Sequence, residues 1–447
     1  MTRFIGVKKL LVGIWILLGL LSGMSCSDPG PEITSKKVFV AHTESGFQLF
    51  KDGVPFPVKG ACVGDSFWEA FQEAGGNTLR IYDTTSLKHK LDKAASLGLM
   101  VAVEIPVPSY SPDEDTPGGP GGPDAINHGI AAVVKEHRNH PALLFWILGN
   151  EVNYPEYFKG KRYVRQFNDW ISLIHELDPD HPVTTTLAGP SRRLILSLYH
   201  RSPGLDFLSI NLFGHISTLR ERLDSMSWLW DGPFMISEWG INGPWEAEVN
   251  TDWGAPVEQT STKKAEQYLE RFRLIQSWEE PRLLGNFIFY WGQKEERTPT
   301  WFSTHLPDGR ATEIVSQFEG CLGGTPKTYT GPRINYMLLE AMGAGQSITL
   351  PPSQEVTASV SLSPPEPSGL LYEWEIRPEN WYYKIRELQQ PMPVIPTAFS
   401  QTSRDEVRFN TPLEEGPYRL YLYVGDTLGN VATTNIPFYI LNPGDAE

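Results

Sequence analysis

The sequence predicts an α/β protein, a (β/α)8 TIM barrel followed by a C-terminal immunoglobulin-like β-sandwich. Three observations point there. Short, near-continuously apolar runs alternate eight times with amphipathic segments over about 300 residues, the count and size of a closed parallel barrel. After Ala344 the pattern switches to short alternating runs separated by turn dipeptides, as in a sandwich. The 447 residues are 40% hydrophobic and 20% charged, which is enough apolar material for large cores and excludes disorder along the whole length.

Met1 to Ser25 reads as a secretory signal. Arg3, Lys8 and Lys9 form a basic start, Leu10 to Leu21 an apolar run, and Ser22-Gly23-Met24-Ser25 a small-residue cleavage region. The apolar run is too short for a membrane span. Cys26 follows directly, where bacterial lipoproteins carry their lipidated cysteine, although Gly23 stands where such signals usually have Leu. Lipidation at Cys26 and a location at the outer membrane, cell surface or periplasm are therefore expected, with membrane attachment through the lipid alone. Residues 26–44 then form a linker. Cys62 and Cys321 are too far apart in sequence to define a disulfide framework.

The barrel is expected over residues 45–344. Its strands read as Val58–Val63, Thr78–Tyr82, Met100–Ile105, Leu143–Leu148, Val183–Leu187, Phe207–Leu212, Phe234–Ile236 and Asn286–Trp291. Such runs suit strands buried on both faces. Leu87–Leu97, Ile126–Glu136, Tyr163–Glu176 and Thr262–Trp278 carry helical spacing between them. An open doubly-wound sheet is the alternative, but no Gly-rich phosphate loop follows any strand. Two long loops, Ser109–Pro123 and Asn242–Ser261, leave strand ends on the face where barrel active sites form. Residues 345–447 hold the sandwich runs Ser347–Leu350, Val356–Leu362, Leu370–Ile376, Val407–Phe409, Tyr418–Val424 and Thr433–Leu441. This domain is either a spacer or a glycan-binding module with Trp374, Trp381, Tyr382 and Tyr383 as platform.

Two strands end on an acid. The fourth runs Leu143-Leu144-Phe145-Trp146-Ile147-Leu148-Gly149-Asn150-Glu151, and the seventh Phe234-Met235-Ile236-Ser237-Glu238-Trp239-Gly240. Opposite strands of a barrel ending this way aim two carboxylates at one point, which glycosidic cleavage requires: a protonated acid for the leaving oxygen and an ionised one to attack the anomeric carbon. Their proximity separates their pKa values.

These residues carry a resemblance. His140-Pro141 through Gly149-Asn150-Glu151 resembles the acid/base segment of TIM-barrel glycoside hydrolases related to family 2 and its clan, and Ile236-Ser237-Glu238-Trp239-Gly240 resembles that clan's nucleophile strand. Lys59-Gly60, Asn77-Thr78-Leu79-Arg80 and Trp291 extend the resemblance over most of residues 45–342. It implies a retaining mechanism with Glu151 as acid/base and Glu238 as nucleophile, Asn150 on the sugar 2-hydroxyl, and Trp291 as a stacking floor. Arg80 is placed to hold the nucleophile ionised or to form a structural ion pair. Glu104 and Asp83 are further acids at the barrel face. One departure stands out: Phe213 occupies the position where many relatives place a Tyr that touches the nucleophile. His215 or Tyr290 is then the expected substitute.

The implied activity is hydrolysis of a β-linked poly- or oligosaccharide. Transglycosylation with the same two Glu residues and non-catalytic glycan binding on an inactive barrel are the alternatives. The net charge of −15 excludes a nucleic-acid partner and favours a neutral glycan, with β-glucan as the working substrate. Eight of the 14 Trp, among them Trp239, Trp245 and Trp291, fall between Trp228 and Trp301, so Trp239 too is expected at the sugar-stacking face. No cofactor or metal is expected: His137 and His140 lack a third ligand, and no nucleophile elbow for a Ser-based triad occurs.

Overall fold

The computed structural model describes residues 36–113, 122–324, 328–379, 391–442 and 444. Met1–Ser25, Cys26, Trp381, Tyr382 and Tyr383 lie outside the described residues, as does part of the Ser109–Pro123 loop.

The chain enters through a small antiparallel sheet, β1 (Val38–Thr43), β2 (Gly46–Lys51) and β3 (Val54–Pro55). Sequence patterning assigns residues 26–44 to a linker, yet β1 pairs with β2 along its length. Val38 N–H donates to the Asp180 carbonyl at 2.9 Å and Phe47 N–H to that of Pro281 at 2.6 Å. Those carbonyls lie just ahead of two barrel strands, so the sheet closes the barrel end opposite the strand C-termini. Val38 and Leu49 join the barrel core.

The barrel strands are β4 (Val58–Val63), β5 (Thr78–Ile81), β6 (Met100–Ile105), β7 (Leu143–Leu148), β8 (Val183–Thr184) with β9 (Thr186–Ala188), β10 (Leu208–Leu212), β11 (Phe234–Trp239) and β12 (Leu283–Trp291). All pair in parallel in the order β8-β7-β6-β5-β4-β12-β11-β10-β9. β8 and β9 are halves of one strand on either side of Thr185, one pairing with β7 and the other with β10, and through them the barrel closes. Thr185 itself donates its hydroxyl to the Leu148 carbonyl at 2.7 Å. Every residue of β6, β7 and β11 is buried, which explains their unbroken apolar runs.

The helices are α1 (Trp68–Glu73), α2 (Leu87–Ser96), α3 (Gly122–His137), α4 (Lys161–Leu177), α5 (Arg192–Arg201), α6 (Leu219–Asp224), α7 (Ser261–Ser277) and α8 (Glu313–Leu322). In α4, Tyr163, Phe167, Trp170 and Ile174 recur at helical spacing and are all buried. The Trp170 indole N–H reaches Asn127 of α3 at 2.9 Å, so even this packed face satisfies its polar atom.

The sandwich consists of two four-stranded sheets. One orders β13 (Ile334–Leu339), β15 (Glu355–Leu362), β18 (Glu406–Asn410) and β17 (Ser400–Ser403); the other orders β14 (Thr349–Leu350), β20 (Val431–Ile440), β19 (Gly416–Gly425) and β16 (Leu371–Pro378). Strand β13 lies ahead of the Ala344 boundary read from sequence, and its register with β15 places it in the sandwich. The two domains share a buried polar seam. Arg419 of β19 donates to Glu379 at 2.6 Å, to Asn435 at 2.7 Å and to the Pro256 carbonyl of the barrel at 2.8 Å. Asn435 donates to the barrel's Glu258 at 2.7 Å, and Glu258 also pairs with Lys264.

Candidate active site

The site is built at the C-terminal mouth of the barrel around Arg80, which is wholly buried at the end of β5. Its guanidinium forks across the mouth. Nη1 donates to Glu238 Oε1 at 2.8 Å, the Ser237 carbonyl at 3.0 Å and Asn211 Oδ1 at 3.2 Å; Nη2 donates to Asn150 Oδ1 at 2.8 Å and Glu104 Oε2 at 3.3 Å. The fixed geometry of a planar guanidinium lets one side chain position five groups from four strands or strand ends.

Glu238, 5% exposed on β11, accepts a second hydrogen bond from the Tyr82 hydroxyl at 2.9 Å. The Tyr82 ring lies beside the guanidinium, whose central carbon is 4.6 Å from the ring centroid. Burial pushes the Glu238 carboxyl up from its ordinary value, and the nearby Glu151 charge adds to this; Arg80 and the Tyr82 hydroxyl pull it back down. Lys294 contributes weakly in the same downward direction. Beneath Glu238, the buried Cys62 thiol faces the Ser237 carbonyl at 3.4 Å, and burial pushes it up to about 12.

Glu151 stands differently. It is exposed, just past β7, and Asn211 Nδ2 donates to its Oε1 at 2.7 Å. The same amide nitrogen reaches Asn150 Oδ1 at 3.1 Å, while Asn211 Oδ1 accepts from the Ser237 hydroxyl at 2.8 Å. Polar contacts therefore run from Glu151 through Asn211 and Arg80 to Glu238. The turn that presents Glu151 is tight. Gly149 has φ 74, and a Cβ there would lie 2.5 Å from Val152. Glu151 itself has φ 47, a left-handed conformation costing a non-glycine residue roughly 1–2 kcal/mol.

Glu104 is a third carboxyl at the site, 5% exposed and pushed up to about 7, chiefly by burial and against the pull of Arg80. Asp83 turns away and pairs with Lys90 of α2 at 3.1 Å, so it is a structural ion pair.

The structure thus brings together Arg80, Asn150, Glu151 and Glu238 from the sequence expectations, and corrects others. Trp239 does not face the mouth: its indole N–H bonds Asn286 at 2.7 Å and its ring packs on Tyr268, Phe272 and Phe318. Trp291 is likewise fully buried, donating to the Phe67 carbonyl at 2.9 Å and packing on Phe71, His305 and Phe318. Neither is available for stacking on sugar. His215 lies exposed on the short turn Gly214–Thr218 and makes no hydrogen bond to Glu238 among the described residues. Tyr290 points its hydroxyl toward Gly64, and burial pushes its pKa upward. The hydroxyl that Phe213 lacks is supplied by Tyr82. The sequence held a signal for it, since Arg80 and Tyr82 are two apart and share one face of the strand.

Phe213 is instead part of an aromatic group, edge-on to Trp245 at 5.4 Å and to Phe289 at 5.4 Å. Trp245 is 60% exposed. It lies over Gly243, where a Cβ would come within 2.4 Å of its ring. Of the eight clustered Trp residues, Trp230, Trp239, Trp278, Trp291 and Trp301 are buried and Trp253 is half-buried; Trp228 and Trp245 are exposed, and of these two Trp245 is the one packed on Phe213.

Residues 111–242, a span containing both Glu151 and Glu238, match the family model described as glycosyl hydrolases family 2, TIM barrel domain. That match covers the part of the barrel from the segment after β6 to just past β11, and over it the chain is similar to this family. Solved structures with a similar course include a calcium binding mutant of Bacteroides uniformis beta-glucuronidase 2, with TM-score 0.50, 14% identity and coverage of 91% of this chain and 48% of that one. The same beta-glucuronidase 2 covalently bound to cyclophellitol-6-carboxylate aziridine gives TM-score 0.49, 15% identity and coverage of 91% and 48%. Ruminococcus gnavus beta-glucuronidase gives TM-score 0.49, 16% identity and coverage of 66% and 54%. The chain thus spans about half the length of these structures. No curated protein matches it in sequence. No described helix is long and apolar enough to cross a membrane.

Proposed function

We propose that the protein is a retaining glycoside hydrolase cleaving a β-linked, neutral poly- or oligosaccharide, with Glu238 as nucleophile and Glu151 as acid/base. The observation that carries this reading is the unequal setting of the two carboxyls. Glu238 is buried between two donors, Arg80 and Tyr82, that favour its ionised form. Glu151 is exposed at the mouth, held through Oε1 by Asn211, where a leaving group can reach it.

In the first step a Glu238 oxygen attacks the anomeric carbon while Glu151 gives its proton to the departing glycosidic oxygen, leaving a glycosyl ester on Glu238. In the second, Glu151, now ionised, takes a proton from a water attacking that carbon, and Glu238 leaves as carboxylate. Asn150, fixed by Arg80 and Asn211, is placed to meet the 2-hydroxyl, and Trp245 to stack on a bound sugar. The Tyr82 hydroxyl in place of one at Phe213 favours an enzyme over an inactive binder. The acidity of the chain disfavours polyanionic glycans, with β-glucan as the first substrate to try. Export with a lipid at Cys26 belongs to the same proposal, on the strength of the basic, apolar and small-residue order of residues 1–26.

The test is the configuration of the first-formed product, followed by NMR in a panel of β-linked glycans. Retention is expected, and an inverted first product would refute double displacement. Glu238→Ala should abolish turnover with the fold intact; hydrolysis at the parent rate would remove Glu238 from the role.

A further inference from the structure

Three carboxyls meet at the mouth, and bond cleavage employs two of them. The third, Glu104, lies on β6, the strand between β5 with Arg80 and β7 with Glu151 past its end. Among the described residues its side chain has one hydrogen bond, accepted by Oε2 from Arg80 Nη2 at 3.3 Å, the longest contact of that guanidinium. Oε1 has none. A carboxyl held for structure alone closes on its arginine with short paired contacts, as Glu280 does on Arg282 at 2.7 and 2.9 Å. Glu104 does not, so it keeps hydrogen-bonding capacity to spare, which a largely buried polar group seldom does. Its side chain is 7% exposed against 6% for Glu238, so a sugar that reaches the nucleophile reaches this group as well. Burial pushes it up to about 7, and the charges of Glu238 and Glu151 add to the rise, as expected of three acids around one opening.

The two arms of the guanidinium decide which part of the sugar Glu104 meets. Nη1 holds the nucleophile Glu238, whereas Nη2 holds both Asn150 and Glu104. With the anomeric carbon at Glu238 and the 2-hydroxyl at Asn150, the ring extends from the first arm toward the second. The next hydroxyl round the ring, on C3, then comes to Glu104.

We propose that Glu104 determines specificity by hydrogen-bonding the 3-hydroxyl of the sugar whose glycosidic bond is cleaved, and that this hydroxyl must be free. The assignment rests on the roles proposed for Glu238, Glu151 and Asn150. Either protonation state serves, because a carboxyl donates to the hydroxyl oxygen and a carboxylate accepts from its proton. Glu104 is 5% exposed, so the space over it takes a hydroxyl and not a further sugar. Units linked or branched through their 3-oxygen are therefore refused. Within the β-glucans, this admits units substituted through the 4-oxygen and excludes the internal units of a 3-linked chain.

The experiment compares aryl β-glycosides of glucose, galactose, mannose and xylose with their 3-deoxy counterparts, on the parent, Glu104→Ala and Glu104→Gln. The parent is expected to lose about 100-fold in kcat/KM on removal of the 3-hydroxyl from its best substrate, because a polar group built to meet a hydroxyl is left unpaired. In Glu104→Ala the two members of that pair should fall within threefold of each other; Glu104→Gln, whose amide still bonds a hydroxyl, should keep most of the difference. Glu104→Ala also disturbs Arg80, so the ratio within a pair is the readout, and a merely structural role would lower both rates alike. Calorimetric titration of the same pairs into the Glu238→Gln chain, with and without Glu104→Ala, reads the contact without turnover. No difference within any pair in rate or affinity, a ratio that survives Glu104→Ala, or cleavage at internal units of a linear β-1,3-glucan overturns the proposal. Discrimination in binding with no turnover of any glycoside would support Glu104 in this role and count against the catalytic reading alone.

Discussion

Arg80 and Glu238, from barrel strands on different sides of β4, meet at 2.8 Å with the arginine wholly buried and the glutamate 5% exposed. Arg80→Lys keeps the charge but loses the fork that also holds Asn150 and Glu104. A fall in kcat/KM of about 100-fold or more is expected, as for loss of a preorganised donor. Because Arg80 lowers the Glu238 pKa, the acid limb of the pH–rate profile should move to higher pH. A limb that stays in place would separate Arg80 from the nucleophile's ionisation.

Tyr82→Phe removes one hydrogen bond to a charged oxygen. Such bonds contribute about 1.5–3 kcal/mol, so kcat should fall roughly 10–100-fold. The acid limb again shifts upward, since the hydroxyl lowers the Glu238 pKa. Full activity in this variant would mean that the 2.9 Å contact has no part in the reaction.

Glu151→Ala should slow substrates with poor leaving groups far more than activated aryl glycosides, which need little proton assistance. Comparing kcat/KM across a series of aryl leaving groups checks this. Equal losses across the series would count against the acid role.

The aromatic residues divide by position. Trp291→Ala should destabilise the fold by about 3–5 kcal/mol, because the ring is fully buried against α1 and α8. Trp245→Ala should leave the melting temperature unchanged and raise KM about 3–10-fold, the loss of one stacking contact. Thermal melts and steady-state kinetics on the two variants separate them, and the reverse pattern would restore the stacking role to Trp291.

Glu104 makes stability depend on pH. In the fold it keeps its proton to about pH 7, while the unfolded chain releases it near the ordinary carboxyl value, so the folded state holds the extra proton in between. Stability therefore falls as pH rises through that window, by up to about 3 kcal/mol. Glu104→Gln should gain in melting temperature over the parent at pH 8 and match it at pH 4. A variant that is destabilised equally at both values would show that packing dominates.

The strand ends were readable because a buried run that stops on Glu leaves the carboxylate few places to go. The alternation along those same strands was equally available. With Glu238 facing the mouth, Trp239 beside it must face the helices, as it does on Tyr268 and Phe272. Counting Trp residues by region concealed this, because a cluster in sequence can be a layer between barrel and helices. The loss shows at Phe213, whereas the hydroxyl that reaches Glu238 belongs to Tyr82 on another strand and is legible only through its spacing from Arg80. The β1–β2 hairpin carries little signal: its buried residues fall in adjacent pairs, Val38-Phe39 and Leu49-Phe50, without strand alternation, and its anchors are backbone carbonyls with no side-chain signature.

The buried seam joining Arg419, Asn435, Glu258 and Lys264 limits how the two domains can be separated. Arg419 and Asn435 of the sandwich donate across it to Pro256 and Glu258 of the barrel, and a buried polar group left without its partner costs about 1–3 kcal/mol. The sandwich is therefore not portable in the manner of a tethered binding module. A cut after Ala344 would also leave β13 behind and strip β15 of its outer partner. The barrel and sandwich should melt in one transition, and any chimera exchanging either must carry both sides of the seam.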